Sequence, residues 1–413
     1  MTIRADAPQR EPAVDLAAPR GPAMTRRRFL GSALAGGAAT IAPFAFVRAI
    51  AAPARFESFV HEQMREAQTP GIAVSLVRDD EIAWTIGAGW ADRENDIRVT
   101  PDTVFMLASV SKTVTCAGVM SVVEDGDLDL DAGVNDYLPF EVRIPAAPRE
   151  PITTRMLLIH TSAIRDRFSV WGTPYSRDSL YFHGDSPIEL GEFLLSYLVP
   201  GESEYREGAN FYERRPGRAY AYSNIAVALA AYVAEVVAHR DFNEVCKQRI
   251  LEPLGMDQSG FRLADITTTN LAMPYKLNKE TRSFEPYFQY GYPDYPDGAL
   301  RTSAAHLARW LAAFMNYGSF EGVRVLERST VRETRRHQLS YDAGWRQGLI
   351  WYGAAPRGYF RMGHTGGDFG VSTRMFFRPD TRVGVVTLTN SYLGGPRWDA
   401  FRAIDLRLLE ELE

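Results

Sequence analysis

A serine and a lysine three residues apart are the first candidates for chemistry. Lys112 is the only charged side chain between residues 103 and 123, so this apolar stretch predicts a buried helix with Ser109 and Lys112 on one face. Burial disfavours the ammonium form and lowers a lysine pKa. A lysine pushed toward neutrality can take a proton from a nearby hydroxyl, which makes Ser109 a candidate nucleophile. The four-residue pattern by itself is common by chance.

The second candidate is Tyr222-Ser223-Asn224, just before an alanine-rich helical stretch. A tyrosine close to a cation loses its proton more easily, so Tyr222 is suited to relaying protons. Asn224 has both a donor and an acceptor with which to hold a substrate amide. A helix N-cap formed by Ser223 or Asn224 would explain the same residues without any catalytic role.

The third candidate is Gly363-His364-Thr365-Gly366-Gly367, at the end of a strand-like run. Glycines allow a substrate backbone to approach a strand closely. A backbone N–H in this stretch, together with the N–H of Ser109, is suited to form an oxyanion hole. The alternative is a glycine bulge beside a buried histidine.

In this order, the three stretches resemble the motifs S-x-x-K, Y-x-N and [K/H]-T-G of the serine β-lactamase and penicillin-binding protein superfamily. The Y-x-N form is similar to the class C-like branch, with its related esterases and D-amino-acid peptidases. Other stretches that resemble the superfamily are Leu157-Leu158-Ile159-His160-Thr161-Ser162, Pro253-Leu254-Gly255-Met256, Gly298-Ala299-Leu300-Arg301-Thr302-Ser303 and Leu388-Thr389-Asn390. The resemblance covers about residues 56–413.

The resemblance implies a role for each matching residue. Ser109 would be the acylated nucleophile, Lys112 its general-base partner, and Tyr222 the group that carries protons to the leaving group and later activates water. The N–H groups of Ser109 and Gly367 would form the oxyanion hole. The residues that would bind substrate are Asn224, on the acyl side, and His364, Thr365 and Gly366. No cofactor is expected.

The chain departs from the superfamily pattern at two positions. The third motif begins with His364 rather than a lysine, and a histidine with an ordinary pKa of about 6.5 is mostly uncharged at neutral pH. A fixed charge for substrate carboxylates is therefore missing, which favours an esterase or a D-amino-acid peptidase or amidase over an efficient β-lactamase. The superfamily's S-G-L is Ser162-Ala163-Ile164 here, so the backbone must accommodate a side chain.

The elements around these motifs predict an α+β fold. Amphipathic helices are predicted from Phe56 and from Trp398 to Leu412, and strand-like runs at residues 72–77, 82–90, 349–352, 359–362, 372–377 and 384–388. This order predicts an antiparallel sheet built from the N- and C-terminal segments, with flanking helices and a mostly helical insertion, as in β-lactamase/transpeptidase-like α/β sandwiches. We assign residues 52–100 and 300–413 to the sheet region and 101–299 to the helical region of one catalytic unit, 52–413.

Aromatic residues are concentrated in two loop-rich segments. The first set is Phe168, Trp171, Tyr175, Tyr181, Phe182 and Tyr212, and the second is Phe288, Tyr290, Tyr292 and Tyr295. These rings could line an apolar mouth for acyl or aryl groups. Packing of the loops onto the core would explain them equally well.

Residues 1–51 resemble an export leader. Arg26-Arg27 precede a weakly apolar run, as in twin-arginine signals, and Ala49-Ile50-Ala51 offers a small-x-small cleavage pattern. Glycines break the run too often for a stable membrane span, which needs about 20 strongly apolar residues, and no later segment is long and apolar enough. We expect a periplasmic or secreted protein. An amphipathic or disordered leader is the alternative, and both Met1 and Met24 are candidate start residues.

The charge, the histidines and the cysteines of the chain limit which partners, metal sites and disulfides are expected. Removal of residues 1–51, which hold seven Arg and three acidic residues, leaves 39 basic and 48 acidic side chains and a net charge of −9. This balance argues against nucleic acid or an anionic membrane as the main partner. The histidines are scattered without the spacing of metal ligands, so we expect no metal site. The two cysteines, Cys116 and Cys246, would allow one disulfide.

Two interpretations of function compete. The first is a metal-free acyl-enzyme hydrolase with a small ester, amide or peptide substrate. The sequence does not determine its oligomeric state. The second is a catalytically silent penicillin-binding module that senses cell-wall peptides. The presence of Ser109, Lys112, Tyr222 and Asn224 together favours the hydrolase, because a silent module has no need of all four.

Overall fold

The computed structural model describes residues 52–167, 169, 171–176, 179–340, 345–355 and 357–410. The strands, numbered along the chain, are β1 (Gly71–Arg78), β2 (Glu81–Asp92), β3 (Ile97–Arg98), β4 (Val104–Met106), β5 (Phe182–His183), β6 (Tyr275–Leu277), β7 (Phe284–Pro286), β8 (Tyr290–Gly291), β9 (Arg301–Ser303), β10 (Ser319–Phe320), β11 (Val323–Arg324), β12 (Arg346–Gln347), β13 (Tyr352–Ala354), β14 (Arg361–Asp368), β15 (Val371–Arg378) and β16 (Val383–Thr389). The helices are α1 (Ala54–Glu66), α2 (Ser111–Asp125), α3 (Thr154–Leu158), α4 (Leu190–Leu198), α5 (Asn224–Ala238), α6 (Phe242–Cys246), α7 (Ala304–Met315), α8 (Arg328–Arg335) and α9 (Pro396–Glu410).

Strands from the two ends of the chain pair side by side in one antiparallel sheet. Eight strands follow the order β12-β13-β14-β15-β16-β1-β2-β3. Val74 of β1 is paired with Ile86 on one side and with Thr387 on the other. The Thr389 hydroxyl donates to the carbonyl oxygen of Gly71, 318 residues away in the sequence. The predicted α+β class, with its antiparallel sheet and flanking helices, is confirmed.

The central strands separate two cores. On β1, Ile72, Val74 and Leu76 face the core that includes α1 and α9, whereas Ala73 and Val77 belong to the other core. This alternation is the period of two that an extended strand imposes on its side chains. Helix α7 packs on the second face, against β1, β2 and β16. The sheet is therefore covered on both faces.

The segment between the two sets of sheet strands contains α2 to α8 and short strand pairs. Helices α2 and α5 pack against each other, and the α2 side chains from Ser111 to Val122 are all buried. A 3-10 turn, Ala108–Val110, precedes α2 and lies against β14 and β15. The first motif thus lies at the boundary between the helices and the sheet.

Most predicted strands are present near their expected positions, but the run 349–352 is not a strand as a whole. Only Tyr352 belongs to β13, because Ile350 has a left-handed φ of 61° that interrupts the extended backbone. The run is buried instead, with Trp351 stacked on Phe314 at 3.9 Å between ring centroids. An apolar run predicts burial more securely than it predicts a strand.

Three sequence predictions fall outside the described residues. They concern the leader of residues 1–51, the ring of Phe168, and Leu412 at the end of the C-terminal helix. Within the described part of the chain, no helix is long and apolar enough to cross a bilayer.

Candidate active site

Ser109 lies in a tight turn at the entrance to α2. The turn begins at Ala108, whose φ of 47° is left-handed, and leads directly into the helix at Ser111. Ser109 is partly exposed, whereas Ser111 is fully buried and its Oγ accepts a hydrogen bond from the Leu300 N–H at 3.2 Å. Of these two serines, Ser109 is therefore the one that a substrate can reach.

Lys112 is buried directly behind Ser109. Its Nζ donates to Ser109 Oγ at 3.0 Å and to the backbone carbonyl oxygen of Asp297 at 2.6 Å. The carboxylate Oδ2 of Asp297 is 3.7 Å from the same nitrogen. The structure therefore brings Ser109 and Lys112 together and adds an acidic partner.

The protonation state of Lys112 differs from the sequence-based expectation. Burial lowers the pKa of the ammonium, but Asp297, Tyr222 and Asp166 act in the opposite direction and raise the Lys112 pKa above its ordinary value. The expected shift toward neutrality is thus wrong for the resting site, because acidic neighbours stabilise a buried cation. In this state Lys112 donates to Ser109 instead of accepting its proton.

Tyr222 completes a three-residue cluster with Ser109 and Lys112. Its ring centroid is 5.2 Å from Lys112 Nζ, and side-chain hydrogen bonds link its hydroxyl to Lys112 and Ser109. The residue as a whole is 37% exposed, but the hydroxyl faces this pair. Burial raises the pKa of Tyr222, and the two hydrogen-bond partners offset only part of that rise. At rest Tyr222 is a neutral phenol with a short route for its proton.

His160 fixes the segment that carries Tyr222. Its carbonyl oxygen accepts from the Ala221 N–H at 2.7 Å, and its Nδ1 accepts from the Ser223 N–H at 3.3 Å. Its ring packs on Tyr222 with 4.4 Å between centroids. Because Nδ1 is an acceptor, we assign the ring proton to Nε2. Burial, then Lys112 and His364, hold the pKa of His160 well below its ordinary value, so this support is uncharged.

The residues after Tyr222 also begin α5. Ser223 is the N-cap: its Oγ accepts from the Ala226 N–H at 3.0 Å and donates to Asp166 at 2.7 Å. Asp166 also accepts from the Asn224 N–H at 2.7 Å. The N-cap interpretation therefore holds for Ser223, but it leaves the Asn224 side chain unused. Among the described residues, Asn224 Oδ1 is buried without a hydrogen-bond partner, so its capacity to accept is unused.

Strand β14 brings the third motif against the Ser109 turn. A Cβ on Gly366 would overlap the carbonyl oxygen of Leu107 and lie 3.0 Å from the Ser109 nitrogen, so this approach requires glycine. Thr373, the partner of Gly366 in the register, donates its hydroxyl to the same Leu107 oxygen at 2.5 Å. Gly367 continues the regular pairing and is exposed. The alternative of a glycine bulge is therefore wrong.

His364 is buried and uncharged. Its Nδ1 lies 2.6 Å from the Thr365 carbonyl oxygen, so we assign a proton to Nδ1, which donates to that oxygen. Burial, and then Lys112, lower the pKa of His364 to about 3. The Tyr352 hydroxyl donates to Thr365 Oγ1 at 3.0 Å and fixes that side chain. His364 therefore supplies no positive charge at neutral pH.

Ala163 adopts the conformation that the superfamily's glycine would allow. Its φ is 65°, in the left-handed region that an alanine enters only at a cost. Its carbonyl oxygen accepts from the Tyr212 N–H at 2.9 Å, which ties it to the segment before Tyr222. Ala163 thus has a backbone conformation that a glycine would adopt without steric cost.

The aromatic clusters mainly join loops to the core. Tyr290 and Tyr292 are buried, and the edge of Tyr181 meets them at centroid distances of 5.2 and 5.6 Å. Tyr181 also packs on Phe369, in the turn after the third motif, at 5.1 Å. Packing accounts for these rings, whereas Tyr175 is 65% exposed.

Sequence reasoning missed four residues of the site. They are His160, Asp166, Asp297 and Tyr352. His160 and Tyr352 belong to stretches with a family-like or strand-like pattern, and Asp297 directly precedes another such stretch.

Neither cysteine is bonded, and no metal cluster is found within the described residues. Cys116 and Cys246 are free, buried thiols, so the disulfide that the sequence left open is absent. Across the described part of the chain, no three His, Cys, Asp or Glu side chains are grouped as metal ligands.

Comparison with known proteins agrees with this geometry. The family model described as Beta-lactamase matches residues 56–408, which is most of the chain. The chain belongs to the Beta-lactamase family. Its resemblance to serine β-lactamases and penicillin-binding proteins, first indicated by the motifs, is thereby confirmed.

The proteins similar to this chain include a hydrolase, an esterase and a penicillin-binding protein homologue of known structure. The unguisins hydrolase ungD of Aspergillus violaceofuscus is 25% identical, over 81% of this chain and 61% of that protein. Esterase EstB of Burkholderia gladioli is 29% identical, over 58% of each chain. This chain thus spans about three fifths of the length of either relative. The structure of an octameric penicillin-binding protein homologue from Pyrococcus abyssi has a TM-score of 0.71 at 24% identity, covering 86% of this chain and 77% of that one, which establishes the fold.

Proposed function

We propose that this protein is an exported serine hydrolase that forms an acyl-enzyme on Ser109 and cleaves uncharged ester or amide substrates. The observation that carries the proposal is the contact of an accessible serine hydroxyl with a buried lysine, 3.0 Å apart, with a tyrosine hydroxyl bonded to both. Nucleophile, proton acceptor and proton relay are therefore within reach of one another. Side chains and backbone groups fill every role without a metal.

The reaction divides into acylation and hydrolysis. With Lys112 in its neutral amine form, Ser109 Oγ attacks the substrate carbonyl carbon and passes its proton to Lys112. Tyr222 then delivers a proton to the leaving alcohol or amine, which leaves the acyl group on Ser109. In the second half Tyr222 passes its own proton to the Lys112 amine as it takes one from water, and the resulting hydroxide attacks the ester. When the bond to Ser109 breaks, Ser109 Oγ takes its proton back from Lys112.

Backbone groups stabilise the oxyanion in this proposal. The Ser109 N–H lies at the end of the turn that leads into α2, and the Gly367 N–H follows the glycine that touches that turn. Two such donors, fixed before the substrate arrives, stabilise the charge that develops on the carbonyl oxygen. Asn224 Oδ1 would accept from an N–H on the acyl side, and Thr365 would contact the far end of the substrate.

The charge of the site favours uncharged substrates. His364 stands where a lysine would hold a carboxylate, and its pKa of about 3 keeps it neutral. The cation at the centre, Lys112, is already paired with Asp297. Within this proposal, an esterase, or a D-amino-acid peptidase or amidase that needs no contact with a substrate carboxylate, therefore fits the site better than an efficient β-lactamase. The name of Esterase EstB supports the same choice.

Substitution of His364 by lysine tests the substrate class. We expect the wild-type kcat/KM for p-nitrophenyl butyrate to exceed that for nitrocefin, which bears a carboxylate, and His364→Lys to narrow the gap. A charge-assisted hydrogen bond contributes roughly 1.5–3 kcal/mol, or about one to two decades of affinity. Steady-state kinetics at neutral pH measure both substrates.

The control for this substitution is His61→Lys on α1, which packs on α9 away from the Ser109 turn and should leave the ratio unchanged. Two results would show that charge at residue 364 does not set the preference. One is a wild-type enzyme that hydrolyses nitrocefin far faster than the ester. The other is a His364→Lys variant that loses both activities equally.

Export is the remaining part of the proposal. The twin arginines at Arg26-Arg27 and the small-x-small pattern ending at Ala51 favour cleavage near residue 51 and a periplasmic or secreted product. Cell fractionation shows the compartment in which the protein accumulates, and N-terminal sequencing shows where the chain is cleaved. A cytoplasmic protein that retains residues 25–50 would contradict it.

A further inference from the structure

Asp297 holds Lys112 through two different atoms. It ends the 3-10 turn Tyr295–Asp297 and is 6% exposed. Its carbonyl oxygen accepts from Lys112 Nζ at 2.6 Å, and its carboxylate Oδ2 is 3.7 Å from that nitrogen. Lys112 itself is 0% exposed. Two opposite charges so deeply buried and so close share their protons as a pair.

We propose that Asp297 is a positioning residue for acylation: its carbonyl and carboxylate hold the Lys112 ammonium beside Ser109, and loss of the carboxylate charge frees Lys112 to accept the Ser109 proton. This inference rests on the acyl-enzyme function proposed above. It explains how a lysine that is an ammonium at rest can still serve as a base. While the Asp297 carboxylate keeps its charge, it favours the ammonium form of Lys112.

The proton balance requires no outside reagent. One Lys112 proton moves to the Asp297 carboxylate, which gives a neutral amine and a carboxylic acid. Lys112 then accepts the Ser109 proton as Oγ attacks the carbonyl carbon, and that proton goes to the leaving group through Tyr222. When the acid returns its proton to Lys112, the ion pair is restored and the number of protons in the site is unchanged.

The surroundings favour this exchange. The titratable groups that face the pair come from several elements and are Tyr222, Asp166, Asp294, Tyr292, Asp368, His160 and His364. Burial raises the pKa of Asp297, and repulsion from Asp166 and Asp368 adds to the rise, so that despite Lys112 the value is about 7. The carboxylate is thus poised to gain a proton near neutral pH. Burial also raises the pKa of Asp368, to about 6.

Replacing Asp297 by asparagine tests the pair. Lys112 and Asp297 together can hold one ionisable proton in two ways, and the reactive way has a neutral Lys112 amine and a protonated Asp297. This one-proton state accumulates in the wild type only until Asp297 has ionised. The kcat/KM for p-nitrophenyl butyrate should therefore rise to about pH 7 and then level off. In Asp297→Asn it should continue to rise, because the amine has no anionic partner. The variant should therefore be about five- to tenfold more active than wild type at pH 8 and similar to it below pH 6.5.

Two further variants sharpen this test. Asp294→Asn removes another buried carboxyl, three residues from Asp297. This carboxyl accepts a hydrogen bond from Trp171 at 3.0 Å and does not contact Lys112. The kcat/KM of Asp294→Asn should therefore level off with pH as that of the wild type does. Asp297→Glu keeps a carboxyl and should restore the levelling near pH 7. A residue with a purely structural role would change the rate equally at every pH instead.

Several outcomes would overturn the inference. One is a profile of Asp297→Asn that runs parallel to wild type, and another is a plateau that persists in the variant. A wild-type profile without any ionisation between about pH 6 and 8 would do the same, even if no variant folds. Fluorophosphonate labelling of wild-type Ser109 separates the two proposals. Labelling together with a parallel profile refutes the role of Asp297 alone, whereas absence of labelling refutes the acyl-enzyme itself.

Discussion

Ser109→Ala is expected to lower kcat/KM for p-nitrophenyl butyrate by at least about 10⁴-fold and to abolish covalent labelling by a fluorophosphonate. The substitution removes the only atom that forms the acyl bond in the proposed mechanism. Ser109 is partly exposed and its side chain bonds mainly to Lys112 and Tyr222, so the fold should be retained. Intact-mass spectrometry detects the covalent adduct, and steady-state kinetics measure turnover. Thermal unfolding measures the stability of the variant.

The matched control for Ser109→Ala is Ser111→Ala. Ser111 Oγ is buried and accepts from the Leu300 N–H, so its loss should affect stability more than labelling. A labelled Ser109→Ala protein, or an adduct mapped to Ser111, would refute the assignment of the nucleophile. A wild-type protein that resists both a fluorophosphonate and a fluorescent penicillin would favour the silent penicillin-binding module.

Lys112→Met is expected to reduce kcat/KM by about 10²–10⁴-fold while leaving Ser109 able to react slowly. Methionine fills similar space but cannot accept or donate the proton. Loss of the cation should raise the pKa of Asp297 further, so that this carboxyl becomes neutral and its burial is tolerated. The time course of fluorophosphonate labelling separates a slow nucleophile from an absent one.

The control for Lys112→Met is Lys276→Met on β6. The Lys276 side chain is 57% exposed and its ammonium is 3.8 Å from Glu285 at the surface, so its loss should leave labelling unchanged. If Lys112→Met were labelled as fast as wild type, Lys112 would have no part in activating Ser109.

The motif residues could be predicted because their signals are local. The spacing of Ser109 and Lys112 implied one helical face, and the paired glycines at Gly366-Gly367 implied a close approach that the structure contains. Likewise, strand-like runs separated by polar turns identified strands that the sheet buries on both sides. In each case the physical requirement falls within a few consecutive residues, where a sequence displays it directly.

The acidic partner of the lysine could not be predicted in this way. Asp297 is 185 residues from Lys112 in sequence, and their contact depends on how the turn before β9 packs on α2. Burial alone was visible in the sequence, and burial alone gives the wrong direction for the lysine pKa. The electrostatics of a buried group depend on its neighbours in space, which a local pattern does not reveal.

The pairing of β1 with β16 determines when the protein can fold. β1 is synthesised among the first elements, but its neighbour β16 emerges from the ribosome only after residue 383. Until then one edge of β1 has no strand to pair with, and β14, which carries the third motif, has not yet joined the sheet. Contacts over such long sequence separations form slowly. The nascent chain therefore remains incompletely folded throughout its synthesis, and any route that transports it as a folded protein must act on the finished chain.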